Sequence, residues 1–480
     1  MRPLLVTGGS GGVGWHLVHE LVGRGRSVVL LLRPTRKASP AERARRLFPG
    51  AGERVRAVAG DVTRPDLGIE PLERAALRRE VAGVVHLAAR TDFRGRWPED
   101  YRAENVAGAL AAASFAAEAG VPLWHASTAY VAGDHPGTFR EEDLDLGQSP
   151  RNGYERSKLE AERALVAFAG LELVRLRLGV VLPDAPVEGI PPGPGPLHHL
   201  RICSGLRDPE PRTLRVPGDP DATLALVPAS WTARAIADLL ERAPRELAPC
   251  LQLVPERATT IAEVIEALHR AVPRVRLEPA PRGGAPDADP LERLVARRCA
   301  IYEPYQFQTT VWERSALEAA LGARAATGID AGWLDRVFAA HLDAWERERP
   351  APPERAEVAA VREYFGPFLQ EKLGRALLPG LRSLTRTFSI TVPGLATWEL
   401  RLEAGRLVSV AAVSGPAGLD YALDAPALLR VVRGQVAPQA LFFAREVRIA
   451  GPTGEALALA SALADFFRRF PFHPHLARTA

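Results

Sequence analysis

The chain has 480 residues, 47% of them apolar, and a formal net charge of +4 made up of interleaved acids and bases. That length exceeds one ordinary core and supplies enough apolar residues for two, while so small and mixed a charge argues against a nucleic-acid surface. Three widely separated cysteines, Cys203, Cys250 and Cys299, make neither a disulfide framework nor a zinc pattern and suit a reducing compartment.

Residues 3–6 read as a short buried strand, and Trp15 to Val18 open an amphipathic helix running to Gly23 or Gly25. Between them lies Thr7-Gly8-Gly9-Ser10-Gly11-Gly12-Val13-Gly14. Glycines 8, 11 and 14 permit a tight turn, close approach of backbone to a pyrophosphate and close helix–strand packing, with the phosphates at the helix N-terminus. Thr7, Gly8, Ser10, Gly11, Gly12, Val13 and Gly14 are therefore candidate cofactor contacts. A second strand, 27–32, ends in Arg33, with Arg36 and Lys37 close behind. An NAD site usually carries an acid there for the ribose 2′-hydroxyl, whereas guanidinium groups favour a 2′-phosphate, so NADPH is the expected cofactor. A third strand, 55–58, leads to Asp61 and Val62, expected at the adenine. A fourth, starting at Val84, brings Ala88 and Ala89 to the carboxyl edge of the sheet, where ligands gather.

The strand 122–126 delivers Ser127 and Thr128 at its carboxyl end, before Gly133. A hydroxyl there can hydrogen-bond a substrate oxygen as negative charge develops on it. Spacing to Gly133 selects Thr128, and Ser127 is expected to be a buried strand-end residue. Tyr154 and Lys158 follow on a helical segment, 154–164, four residues apart and so on one face. A phenol with a pKa of roughly 10 is a poor acid–base catalyst at neutral pH, and the adjacent ammonium is expected to lower it. Lysine is scarce in this arginine-rich chain, with only Lys37, Lys158 and Lys372, and one of the three falls here, where it can also hold the nicotinamide ribose. The stretch 182–220, dense in proline and glycine, yields no secondary-structure assignment and is expected to form a substrate lobe. Its paired His198 and His199 read as polar loop residues, because no further ligand cluster accompanies them, and no metal is expected.

A proline- and charge-rich stretch, 345–354, suits a stiff solvated linker. A helical segment follows, and then 387–392 and 397–402 alternate polar with apolar residues as half-buried strands do. Elements at 440–443 and 446–449 precede Gly451, and an apolar helix runs from Glu455 to about Phe470. This predicts a small α+β domain and a division into 1–345, a linker and helix at 346–375, and 376–480.

With the glycine turn, Ser127-Thr128 and Tyr154-x-x-x-Lys158 in hand, residues 1 to about 345 resemble the extended short-chain dehydrogenase/reductase superfamily. The segments 84–93, 101–108 and 127–133 are similar to its fatty acyl-CoA reductase and thioester reductase branch. The resemblance implies a Rossmann-type doubly wound parallel sheet with a substrate lobe. It implies Gly8, Gly11 and Gly14 for the pyrophosphate, Arg33 for the 2′-phosphate, Asp61 and Val62 for the adenine, and Thr128, Tyr154 and Lys158 for catalysis. Asn105, within the matching 101–108 segment, joins Tyr154 and Lys158 as a candidate cofactor contact. Ser230 stands where that branch is expected to carry an aspartate, which puts the anchoring of its loop in question. Residues from about 376 to 478 resemble the sterol carrier protein 2 family through Trp398-Glu399-Leu400, Leu429 to Gly434, 438–442 and the final helix. Ala444 and Arg445 stand where that family often has glycine. The family implies an apolar tunnel for acyl chains or other lipids.

The combined expectation is an NADPH-dependent reductase of a lipid carbonyl, foremost a long-chain acyl thioester reduced to an aldehyde, with an acyl carrier protein as a possible partner. Two alternatives stay open: a dehydrogenase of sterols or other hydroxy-lipids, and a lipid-transfer protein whose nucleotide domain is regulatory. No apolar run reaches the roughly 20 residues of a spanning helix, and the first residues enter a strand with no leader. A cytoplasmic protein with at most transient membrane contact is expected.

Overall fold

Seven short aliphatic segments build the central sheet of the computed structural model, which describes residues 2–36, 38–93, 99–190, 193, 195–206, 211–347, 353–375 and 384–474. They are β1 (Leu4–Thr7), β2 (Val28–Leu32), β3 (Val55–Ala59), β4 (Gly83–His86), β5 (Leu123–Thr128), β6 (Leu173–Leu178) and β7 (Cys250–Leu253). All pair in parallel, in the order β7-β6-β5-β4-β1-β2-β3. β1, β2, β4 and β5 are buried at every residue, because helices cover both faces of such a sheet, and this is why β2 reads as an unbroken apolar run while the other three turn polar only towards their carboxyl ends. The strand order reverses at β1, between β4 and β2, so a crevice opens there above the carboxyl ends.

Among the helices between the start of the chain and β7 are α1 (Gly12–Gly23), α2 (Gly108–Ala119), α3 (Gly153–Val166), α4 (Pro196–Gly205) and α5 (Ala229–Leu239). Leu17 and Leu21 of α1 pack with Trp231 and Ile236 of α5 on one face of the sheet. Ala112 and Phe115 of α2 and Ala161 and Leu165 of α3 fill the other. The chain separates into two compact units, one made of residues 1–197, 218–264 and 299–341, the other of 198–217, 265–298 and 342–480. The seven-stranded sheet belongs to the first.

Described parts at the two ends of the stretch without a sequence assignment pair with distant segments, and residues 207–210 of it lie outside the described residues. Val180–Leu182 pairs in parallel with Leu226–Pro228, and Arg212–Pro217 with Val275–Ala280. His198 and His199 lie on α4 and not in a loop. The His198 ring approaches the Arg298 carbonyl at 3.3 Å. Lys37, residues 191, 192 and 194, and 348–352 of the expected linker lie outside the described residues. At Ser230 the Asp184 carboxylate accepts the backbone N–H at 2.9 Å, which holds the start of α5.

The second unit carries a five-stranded sheet: β8 (Arg386–Val392), β9 (Ala396–Glu403), β10 (Arg406–Val413), β11 (Asp420–Leu423) and β12 (Val447–Ala450), in the order β10-β9-β8-β11-β12. β8 and β11 run parallel and the other pairs antiparallel. Among its helices are α6 (Arg355–Glu363), α7 (Ala425–Val432), α8 (Pro438–Phe443) and α9 (Thr453–Arg469). Trp398 points from β9 to the buried side, where Phe365, just after α6, stacks on it at 4.2 Å and 7°. Buried Asp420 accepts hydrogen bonds from Ser389 at 2.6 Å and Thr391 at 2.8 Å, tying β11 to β8. Tyr421 donates to the Ala456 carbonyl at 2.6 Å, tying α9 to the sheet. Arg445, at the glycine-favouring position after α8, has a φ of 59°, in the left-handed region. Its side chain donates to Ser204 of α4, and its guanidinium lies 5.0 Å from the Trp345 ring.

Truncating Trp398 removes both its own buried area and the face on which Phe365 rests. Trp398→Ala is expected to destabilise the second unit by about 3–5 kcal/mol, read as a drop in the urea midpoint of the transition followed by far-UV circular dichroism on the full chain.

Candidate active site

The crevice begins at the β1–α1 turn. Gly8 has a φ of +74°, and a Cβ there would lie 2.5 Å from the Ala88 backbone nitrogen. A Cβ on Gly14 would lie 2.2 Å from the Gly8 carbonyl oxygen. Both glycines are thus sterically required, the first by the segment just after β4 and the second by the turn itself. The Gly11 N–H closes the turn on the Gly8 carbonyl at 3.0 Å, and no side chain caps α1 at Gly11. The first-turn N–H groups are therefore open to an anion, with Ser10 half-buried and Gly11 and Gly12 exposed beside them. Thr7 does something else. It is fully buried, its hydroxyl 2.8 Å from His86 Nδ1 and accepting the Ala88 N–H at 3.2 Å, so it fastens β1 to β4 beneath the turn.

Past β2 and β3 the groups expected at the adenosine end are brought together. Arg33 and Arg36 are exposed. Partial burial raises the Asp61 carboxyl, but the Thr63 N–H and hydroxyl, with Arg33 and Arg64 near, more than offset this and hold it below its ordinary range. Val62 packs against Gly108 at the start of α2. Asn105, expected at the cofactor, is fully buried in a π-helical turn, Arg102–Ala107, ahead of α2. Its amide nitrogen donates to the Arg90 carbonyl at 3.0 Å and to the Ser157 hydroxyl at 2.8 Å, and its oxygen accepts the Arg90 N–H at 2.7 Å. That side chain locks the segment after β4 to α3.

α3 starts where the Asn152 side chain accepts the Glu155 N–H at 3.0 Å, a cap that the sequence Asn152-Gly153 offers. It presents Tyr154 and Lys158 towards the end of β5. The Tyr154 hydroxyl faces the Thr128 side chain, whose own hydroxyl accepts the Tyr130 N–H at 3.3 Å. Ser127 is buried, its side chain turned to Glu162. Lys158 Nζ donates to the Ala126 carbonyl at 2.8 Å. The expected lowering of the phenol by the ammonium is not what these positions give. Burial pushes Tyr154 up to about 12, and burial pushes Lys158 down to about 8. The reason is geometric: the ammonium is directed at the strand carbonyl, and the phenol at Thr128.

An aromatic wall missed by sequence reasoning stands beside Tyr154. Phe93 lies 5.9 Å from its ring and stacks on Tyr305 at 5.5 Å, with Tyr302 5.7 Å away. Tyr305 accepts from the Asn152 amide at 2.6 Å. Tyr302 and Tyr305 come from a segment about 150 residues downstream, and nothing local marks them. A second layer was also missed: fully buried His86 and His125, stacked at 5.4 Å under Lys158.

Known proteins share these elements. The family model described as Male sterility protein, an NAD-binding domain, matches residues 6–236, and that of the SCP-2 sterol transfer family matches 369–464. The first unit thus contains an NAD-binding domain similar to the Male sterility family. An SCP-2 sterol transfer domain lies C-terminal to it. The isonitrile lipopeptide synthase of Streptomyces coeruleorubidus is 31% identical over 196 residues, covering 37% of this chain and 13% of that protein. The chain spans between 4% and 13% of the length of three of the curated relatives it matches. Among solved structures, the terminal R domain from the myxalamid PKS-NRPS pathway is 22% identical with a TM-score of 0.57, over 73% of this chain and 93% of that one. A thiolation-reductase di-domain from an archaeal non-ribosomal peptide synthetase is 17% identical with a TM-score of 0.55, over 72% and 76%. At these identities the likeness to the solved structures is one of fold. The reductase domain is an NAD(P)-binding one, and the uncapped, glycine-rich turn at Gly8 to Gly14 fits a dinucleotide pyrophosphate.

Gly14→Ala is expected to weaken NADPH binding by at least about tenfold, measured by quenching of protein fluorescence. Gly23→Ala, at the other end of α1 where a Cβ meets nothing within 4 Å, is expected to bind as the parent does.

Proposed function

We propose that the reductase domain reduces a long-chain acyl thioester to an aldehyde with NADPH, and that the SCP-2 domain holds the acyl substrate or its product. The observation that carries this reading is the convergence of Thr128, Tyr154 and Lys158 at the carboxyl end of β5, on the same edge of the sheet as the turn that leads from β1, two strands away, into the uncapped N-terminus of α1. Bound NADPH would supply the hydride, its phosphates at the β1–α1 turn with Gly8, Ser10, Gly11, Gly12, Val13 and Gly14, and its 2′-phosphate by Arg33 and Arg36. Thr128 holds the carbonyl oxygen of the substrate, and as the hydride adds to the carbonyl carbon Tyr154, protonated throughout the neutral range, gives the proton that this oxygen takes up; the resulting hemithioacetal then breaks its C–S bond, its hydroxyl proton goes to the departing sulfur, and aldehyde and free thiol are released. Lys158, charged below about pH 8, keeps positive potential beneath the phenol as its proton leaves. The aromatic wall of Phe93, Tyr302 and Tyr305 offers the apolar surface that a thioester arm needs.

The division that goes with this reaction is 1–345 for reduction, 346–375 as linker and helix, and 376–480 for the lipid, in a cytoplasmic protein fed by coenzyme A or by an acyl carrier protein. Tethering raises the local concentration of a poorly soluble substrate, by an amount set by linker reach.

Full-length protein is expected to consume NADPH with a long-chain acyl-CoA and not with a keto-sterol, followed by absorbance. Turnover with the keto-sterol alone would replace the thioester reading by alcohol–ketone chemistry, and lipid binding with no turnover of either would favour transfer. Tyr154→Phe is expected to lower kcat by about 10²–10⁴-fold while NADPH binding is retained. Because burial lowers Lys158 and the charged form is the working one, kcat/KM is expected to fall as pH rises through about 8; a flat profile from about pH 7 to 9.5 would remove Lys158 from the mechanism.

A further inference from the structure

One turn beyond Lys158 on α3, at a spacing that puts both on one helix face, stands Glu162. It is fully buried. From β6, Arg175 donates to it at 2.8 Å, and Arg177 reaches both carboxylate oxygens through Nε and Nη2 at 2.8–3.2 Å. Arg177 is itself fully buried, its remaining donors directed at the carbonyls of Arg140, Glu141 and Asp143. Burial raises the Glu162 carboxyl, yet the two guanidinium groups and the Ser127 hydroxyl outweigh that and keep it low, so it stays ionised through the neutral range.

The surroundings of Lys158 make this carboxylate matter. Facing the ammonium are His86 from β4 and His125 from β5, both held neutral by burial, the first lowered to about 3. Tyr154 on α3 is neutral as well. Arg175 and Arg177 on β6 add positive charge, which is directed at Glu162. A buried ammonium with one carbonyl partner and neutral rings is costly and sheds its proton readily. Among the described groups that act on Lys158, Glu162 is the one that favours its charged form.

We propose that Glu162 is a positioning residue for the reacting pair: clamped by Arg175 and Arg177, its carboxylate supplies the field that keeps the buried Lys158 ammonium charged beside Tyr154. This rests on the reading of Tyr154 and Lys158 as the reacting groups. Arginines on β6 hold an anion whose purpose is one helical turn away.

The test uses the full chain labelled with 13C at the lysine Cε. Only three lysines exist, and Lys37→Arg and Lys372→Arg identify the other two signals, so Lys158 can be titrated directly without reference to turnover. In the parent protein its midpoint is expected near 8. In Glu162→Gln the midpoint is expected to fall by about one pH unit or more, with the alkaline limb of kcat/KM moving by the same amount. Glu162→Asp, which keeps the charge, is expected to recover most of that shift. Should Glu162→Gln fail to fold with Arg177 left unpaired, Glu162→Gln with Arg177→Met replaces the buried pair by neutral groups, an exchange that is often tolerated, and the midpoint is again expected to fall. An unchanged Lys158 midpoint in either variant would overturn the proposal, as would a parent midpoint of about 10, the ordinary value. Absence of thioester turnover in the parent would sink the proposed reaction and leave the lysine titration to decide on Glu162.

Discussion

Burying an ammonium beneath a sheet edge costs several kcal/mol unless fixed partners meet it, and most of the site can be understood as the machinery for doing so. Lys158 reaches the Ala126 carbonyl only if α3 lies at one height and one rotation above β5. Three side chains set that pose: Asn152 caps the helix, Asn105 grips Ser157 from the segment after β4, and Glu162 is anchored to β6. With the helix so held, Tyr154 has Thr128 as its partner, and the wall of Phe93 and Tyr305 closes beside it. The glycine turn obeys a separate, purely steric demand, since neither Gly8 nor Gly14 has room for a Cβ.

How much of this could be read from the residues depends on how local each cause is. The β1–α1 turn and the Tyr154–Lys158 pair were legible because the geometry of each is written within a few neighbouring residues. So were β8 and β9, whose polar–apolar alternation reports one buried face. The stretch 182–220 was illegible because its two strands pair with segments tens of residues away, and its proline and glycine content hides α4. Tyr305, Arg177 and His125 gave no signal, since a residue's burial against a distant strand leaves no trace in its neighbours. The direction of the Tyr154 shift was misjudged for a related reason: spacing shows that a phenol and an ammonium share a face, but not which acceptor each one takes.

Asn105 and Thr7 show how a family motif can be right in place and different in role. Both occur within the turn and helix segments that a dinucleotide site uses, yet their polar atoms are directed at protein groups. They shape the cradle from behind. At Ser230 the carboxylate that holds the start of α5 comes from another loop, through Asp184.

Arg445 tells a similar story in the second unit. A glycine after α8 would relieve roughly 1–2 kcal/mol of left-handed backbone strain, yet the chain keeps an arginine that spans from α8 to Trp345 and Ser204. Comfort of the main chain has been traded for reach of the side chain. A lipid domain transplanted from a protein that retains the glycine would come without this clasp, and α4 would be left with the hydrogen bond from Arg201 to the Ala444 carbonyl.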